Sequence, residues 1–127
     1  MIYGIGTDII EIPRVEAALG RFGDRFARRI LCEPEMKRFS VHRKPAAYLA
    51  KRFAAKEAFT KALGTGIRSP ANWHGVWVIN LRSGKPALEF TPALQSLLDL
   101  RGVRQAHVSL TDERELASAT VILETEA

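Results

Sequence analysis

The chain has 127 residues, is 46% hydrophobic and 26% charged, and carries a formal net charge of +5. These figures predict one folded domain over residues 1–127 and exclude a disordered chain. No apolar run reaches membrane-spanning length, and the lone cysteine, Cys32, excludes an intrachain disulfide and a cysteine-built zinc cluster. Met1 to Asp8 has no basic segment ahead of a hydrophobic run, so no secretory leader is expected, and a reducing, cytoplasmic setting fits. Between Arg14 and Arg52, lysines and arginines outnumber Glu16, Asp24, Glu33 and Glu35, whereas Asp112, Glu113, Glu115, Glu124 and Glu126 gather near the other end. A basic half fits an acidic partner, and it fits plain solvation equally well.

Ile2 to Ile10 predicts a strand in which Gly4 and Gly6 allow close backbone approach, with Asp8 at its end. Glu11 to Leu19 reads as a helix with Pro13 in its first turn, ended by Gly20 or Gly23. Asp24 is placed to cap a short second helix, and Pro34 to Phe39 adds another helical turn or two. A polar loop, Ser40 to Pro45, precedes a long Ala-rich helix from Ala46 to Leu63, with Gly64 as its C-cap. His74 to Leu81 and Pro86 to Phe90 read as two strands joined by a hairpin turn at Arg82–Lys85. Thr91-Pro92 opens a helix through Leu100, Gly102 ends it, and Val103–Leu110 and Glu115–Leu123 are the last strands. The class is α+β, with a twisted antiparallel sheet packed against the long helix and the shorter ones.

Three segments carry candidate chemistry. In Gly4-Ile-Gly6-Thr-Asp8 the third glycine and the later acid of the dinucleotide fingerprint are missing, so Asp8 either caps the next helix or ligates a hard cation. Glu57 and Lys61 share a helical face just before Gly64-Thr65-Gly66. They are either an exposed ion pair or a metal ligand with a phosphate-facing base, the glycine turn offering N–H groups to a second phosphate. His107, Ser109 and Thr111 alternate onto one face of a strand, which makes that face a polar ligand wall or a solvated surface. Ser109 has no nucleophile-elbow context. Cys32 reads as a small buried residue, His42 as a solvated loop residue, Trp73 and Trp77 as packing residues, and His74 lacks ligand spacing.

Together, Gly4-Ile-Gly6-Thr-Asp8-Ile-Ile-Glu11, Arg52-Phe53-Ala-Ala-Lys56-Glu57-Ala-Phe-Thr-Lys61-Ala-Leu-Gly64-Thr-Gly66, Gly84-Lys85-Pro86 and His107-Val-Ser109-Leu resemble the holo-acyl-carrier-protein synthase family, the short bacterial form of 4'-phosphopantetheinyl transferase. The resemblance covers nearly the whole chain and is thinnest from Cys32 to Tyr48. It implies a phosphopantetheinyl transferase-like fold and a role in fatty acid and lipid metabolism. The implied reaction is transfer of the 4'-phosphopantetheine arm of coenzyme A to a serine of acyl carrier protein, with release of adenosine 3',5'-bisphosphate. Asp8 and Glu57 would then bind Mg²⁺, and Lys61 would stabilise phosphate charge. Either Glu57 or a metal-associated water held by Asp8 would take the serine proton. Arg52, Lys61 and the Gly64-Thr65-Gly66 turn would line the coenzyme A pocket, together with Lys85-Pro86 and the His107–Ser109 strand. Acidic acyl carrier protein would dock on Arg14, Arg21 and Arg25, with Arg28 or Arg29 nearby. The resemblance also implies a homotrimer with sites at its subunit boundaries, and neither a nucleic-acid nor a membrane partner.

The chemistry agrees with that implication. Pyrophosphate cleavage needs charge neutralisation on both sides of the breaking bond, and a serine hydroxyl needs a proton acceptor. The rival reading is a basic nucleic-acid-binding module on the Arg14–Arg52 segment, although no RRM, helix-turn-helix or zinc-finger signature accompanies it. A small adaptor protein, with Glu57 and Lys61 as surface decoration, is a third class.

Overall fold

The structure is a computed structural model that describes residues 1–126. Its elements run β1 (Ile2–Glu11), α1 (Ile12–Phe22), α2 (Asp24–Ile30), α3 (Glu33–Phe39), α4 (Pro45–Leu63), β2 (Val76–Asn80), β3 (Pro86–Phe90), α5 (Pro92–Leu100), β4 (Val103–Glu113) and β5 (Leu116–Thr125). The expected α+β class holds. The strands form two sheets, an antiparallel β1-β5-β4 sheet and a separate β2-β3 hairpin.

Helix α4 organises the molecule. Its buried residues lie all around the helix, from Leu49 and Arg52 through Ala54, Ala55 and Lys56 to Phe59 and Leu63. A helix covered on every side must sit in a core. Its C-terminal part, Ala54 to Leu63, packs with Val76, Leu94, Leu98, Val121 and Leu123, and its N-terminal part, Tyr48 to Ala50, packs with Ile12, Val15, Ala27, Ile30 and Phe39. Helices α1, α2 and α3 therefore pack on the N-terminal part of α4. Gly64, at φ 88°, ends α4 in the left-handed conformation, which only glycine adopts without strain.

Alternation along β5 sends Ala117, Ala119, Val121 and Leu123 into the core. Their register partners on β1 include Asp8, Gly6 and Gly4, opposite Ala119, Val121 and Leu123 respectively. The inner side of β1 at these positions thus faces α4. A Cβ on Gly4 would overlap the Ala62 carbonyl, and one on Gly6 would overlap the Ala58 carbonyl. The two glycines bring the strand's main chain directly onto the helix, as the sequence predicts. The outer face of the sheet carries Ile5 and Ile9, exposed at 62% and 63%. Across the ladders it continues as Ile5–Ile122–His107 and Thr7–Thr120–Ser109.

Three local expectations change. β1 continues past Asp8 to Glu11, because its pairing with β5 extends to Leu116. Asp24 is the first residue of α2 and makes no capping bond, the N-cap being Gly23 at φ 63°. Gly20 lies within α1. Thr91 does cap α5, its hydroxyl accepting from the Leu94 N–H.

Candidate active site

Asp8 lies inside β1 and Glu57 on the middle of α4, so the glycine contact between these elements brings the two carboxylates together. Both line one trough of about 670 Å³, walled by Ile10, Val15, Phe26 and Phe53, with Arg14 of α1 at its edge. Asp8 is not a helix cap, since the N-cap of α1 is Glu11. Lys61 makes its ion pair with Asp8, Nζ to Oδ1 at 3.2 Å, and donates to the Thr7 carbonyl at 3.0 Å. The exposed Glu57–Lys61 pair of the bland reading is not formed. With 52% of its side chain exposed, Lys61 holds the Asp8 charge from the solvent side.

The trough raises the proton affinity of Glu57 above the ordinary carboxylate value. Burial is the main cause and the Asp8 charge adds to it, while Lys61 opposes both. Two carboxylates held near each other in a partly dry cleft fit a small hard cation that completes its shell with water and phosphate oxygens. Among the described residues no group of three or more His, Cys, Asp or Glu is disposed to enclose a metal. Two carboxylates leave most of a hard cation's coordination positions to water or a substrate.

The Gly64-Thr65-Gly66 turn is arranged differently from the expectation. Its three N–H groups turn onto the Thr60 carbonyl, at 2.9, 3.1 and 3.4 Å, so they do not form an open phosphate cradle. Any contact of this turn with a ligand falls on its outer surface.

Arg52 faces another cavity, of about 530 Å³, where it is joined by Arg38, Lys51, Arg82, Asn80 and Pro86. Its guanidinium lies over the Tyr48 ring at 4.1 Å and donates to Asn80 Oδ1 at 3.2 Å. Its Nε is buried without a hydrogen-bond partner among the described residues. Burial lowers its proton affinity, and the nearby Tyr48 and Glu35 oppose that shift. Guanidinium remains charged near neutral pH all the same, so this cavity presents net positive charge. Lys85 is exposed on the hairpin turn beside Pro86.

His107 and Ser109 lie on the outer face of the sheet, opposite the face that carries Asp8. His107 Nε2 bonds Glu124 Oε1 at 2.6 Å. Within one chain they do not meet the carboxylates. Arg14, Arg21 and Arg25 are exposed on α1 and α2, and Arg14 lines the trough. Cys32 is half-buried, and burial pushes its thiol pKa up. Trp73 stacks on Phe53 with ring centroids 4.9 Å apart, as a packing residue should.

Sequence reasoning missed the Lys56–Glu35 pair. Both side chains have no exposure, and Nζ lies 2.7 Å from Oε1. The available signal was a lysine set among Ala and Phe on a helix that has no solvent face.

The paired carboxylates in the trough and the separate basic cavity are donor types suited to a cation and to an anion respectively. The sequence model of the 4'-phosphopantetheinyl transferase superfamily matches residues 4–121, and the chain belongs to that superfamily. Within it, the relatives are holo-acyl-carrier-protein synthases. The Vibrio parahaemolyticus enzyme of that name is 53% identical over 123 residues, covering 97% of this chain and 98% of the relative. The crystal structure of the Neisseria meningitidis synthase superposes with a TM-score of 0.95 at 43% identity, covering 98% of this chain and 100% of that one. The Bacillus anthracis synthase, solved in complex with CoA (3',5'-ADP), gives 0.83 at 37% identity and 99% coverage of both chains. Among the described residues no helix is long and apolar enough to cross a membrane.

Proposed function

We infer that the chain transfers the 4'-phosphopantetheine arm of coenzyme A to a serine of apo-acyl carrier protein and releases adenosine 3',5'-bisphosphate. The observation that carries this reading is the trough, which joins the Asp8–Glu57 pair to the basic edge at Arg14. The serine oxygen forms a bond to the β-phosphorus of coenzyme A as the pyrophosphate bond breaks, and the electron pair leaves on the adenosine bisphosphate. Glu57, or a metal-associated water held by Asp8, would receive the serine proton. Asp8 and Glu57 would hold Mg²⁺, which when bound neutralises charge on the pyrophosphate. Lys61, released from Asp8, has the exposure and reach to meet a phosphate oxygen. Arg14 at the trough, with the exposed Arg21 and Arg25 on the same two helices, would orient the acidic carrier.

The basic cavity supplies the other half of the coenzyme A site. Arg52 and Lys61 are nine positions apart on α4, about half a turn out of phase, so they face opposite ways. This separation favours a site in which two chains each supply one of them. A homotrimer provides such a site, with Asp8, Glu57 and Lys61 of one subunit facing Arg52, Lys85, Pro86, His107 and Ser109 of the next. The exposed Ile5 and Ile9 on the sheet's outer face give such an interface apolar surface to bury. Arg52 Nε and its neighbours would take the anionic 3'-phosphate.

The test is mass spectrometry of apo-acyl carrier protein incubated with the protein, coenzyme A and Mg²⁺. A metal-dependent gain of one phosphopantetheine, lost in Glu57→Gln, is expected. The absence of any gain with several apo carriers would overturn the reading.

A further inference from the structure

Lys56 is fully buried one position before Glu57, yet the transfer chemistry makes no use of it. Its ammonium donates to the Ile30 carbonyl at 2.6 Å, to Glu35 Oε1 at 2.7 Å and to the Trp73 carbonyl at 2.7 Å. That uses all the donors an ammonium has. Glu35 in turn accepts from the Cys32 N–H at 2.9 Å and the Val78 N–H at 3.0 Å. Burying such a pair is a poor source of net stability, because well-packed apolar residues of the same volume do as well. What the pair does supply is directional, hydrogen-bonded geometry between segments that otherwise meet through apolar packing.

Two of the segments it joins, α2 and α4, line the trough, and the Trp73 segment packs behind Phe53. Ile30 is the last residue of α2, the helix that carries Phe26. Trp73 stacks on Phe53 of α4. Phe26 and Phe53 both wall the trough that contains Glu57. By drawing the Ile30 and Trp73 carbonyls onto α4, Lys56 fixes how far α2 stands from the carboxylate. We propose that Lys56 is a positioning residue for the transfer: it holds α2 and the Trp73 segment against α4, so that a carrier serine entering past Phe26 and Phe53 meets Glu57. This rests on the transferase reading.

The test uses the full chain with Lys56→Met/Glu35→Gln, which removes both charges while the Gln oxygen still accepts a backbone N–H. Glu35→Gln alone is the control for the carboxylate. Sites are counted by calorimetric binding of coenzyme A in Mg²⁺, and carrier turnover is expressed per folded site. We expect coenzyme A affinity within about twofold of the parent and kcat/KM for the carrier at least tenfold lower. Carrier turnover within twofold of the parent per folded site would overturn the proposal. So would coenzyme A affinity falling in step with turnover, because that marks a merely structural role. A parent protein that transfers nothing would instead overturn the transferase reading, and this inference with it.

Discussion

Glu57 sits where its charge is disfavoured, and that has consequences at two levels. Its folded pKa is raised, so the stability it contributes is fully present below the ordinary carboxylate value and is lost as pH rises through the raised value. In the metal-free protein, Glu57→Gln should therefore raise the thermal midpoint at neutral pH, and the gain should vanish in acid. A pH series of thermal melts checks this. The same substitution should lower carrier turnover by about 10²-fold or more, the usual scale for a lost proton acceptor. Because a cation competes with protons for carboxylates, added Mg²⁺ should move the acid limb of the activity profile to lower pH. Asp8 and Glu57 were legible because their types and order already match a known pattern. Lys56 was not, since a lysine in an Ala-rich helix reads as a surface residue until all sides of that helix are known to be covered. The glycine turn misled for a related reason: glycines promise free N–H groups, and only the folded helix end shows Thr60 claiming them.

At the scale of elements, α1 and the start of α2 form a positively charged flank to an apolar trough. Exposed ion pairs of this kind contribute to encounter and orientation more than to affinity. Arg14→Glu/Arg21→Glu/Arg25→Glu should raise the KM for the carrier by about tenfold or more at low salt, with little change in coenzyme A binding and a shrinking difference as salt increases. Steady-state kinetics at several ionic strengths test it. The helices and strands themselves were legible from periodicity and punctuation, within a residue or two for α4, β3 and α5. Asp24 failed as a cap because the preceding Gly23 turns the chain so that helix α2 already begins at the aspartate. How the sheet divides was not legible, since alternation marks a strand's faces and leaves its partners open.

For the whole molecule, the pairing of β1 with β5 joins the first strand to the last, an arrangement no local pattern reveals. It also places the His107 wall on the far face from Asp8. On the proposed trimer, complementary damage should be repairable. Inactive Glu57→Gln and inactive Arg52→Ala proteins, mixed under conditions of subunit exchange, should regain about one quarter of the parent activity, the share of boundaries with both halves intact under random assembly. Mixing without recovery, despite exchange seen by native mass spectrometry, would place both halves in one subunit.

The main-chain contact of β1 with α4 has a consequence for ion choice. Where Gly6 meets Ala58 there are no rotamers to readjust, so the gap between strand and helix behaves as a fixed calliper. Asp8 and Glu57 ride on its two jaws. Magnesium asks for oxygens at about 2.1 Å and tolerates little deviation, whereas calcium accepts about 2.3–2.6 Å. Adding one methyl group with Gly6→Ala should open the jaws, so that any Mg²⁺ binding measured for the parent falls relative to Ca²⁺ binding before divalent-ion binding is lost altogether. Discrimination among cations would then reside in a hydrogen atom on the strand, at a position that never touches the ion.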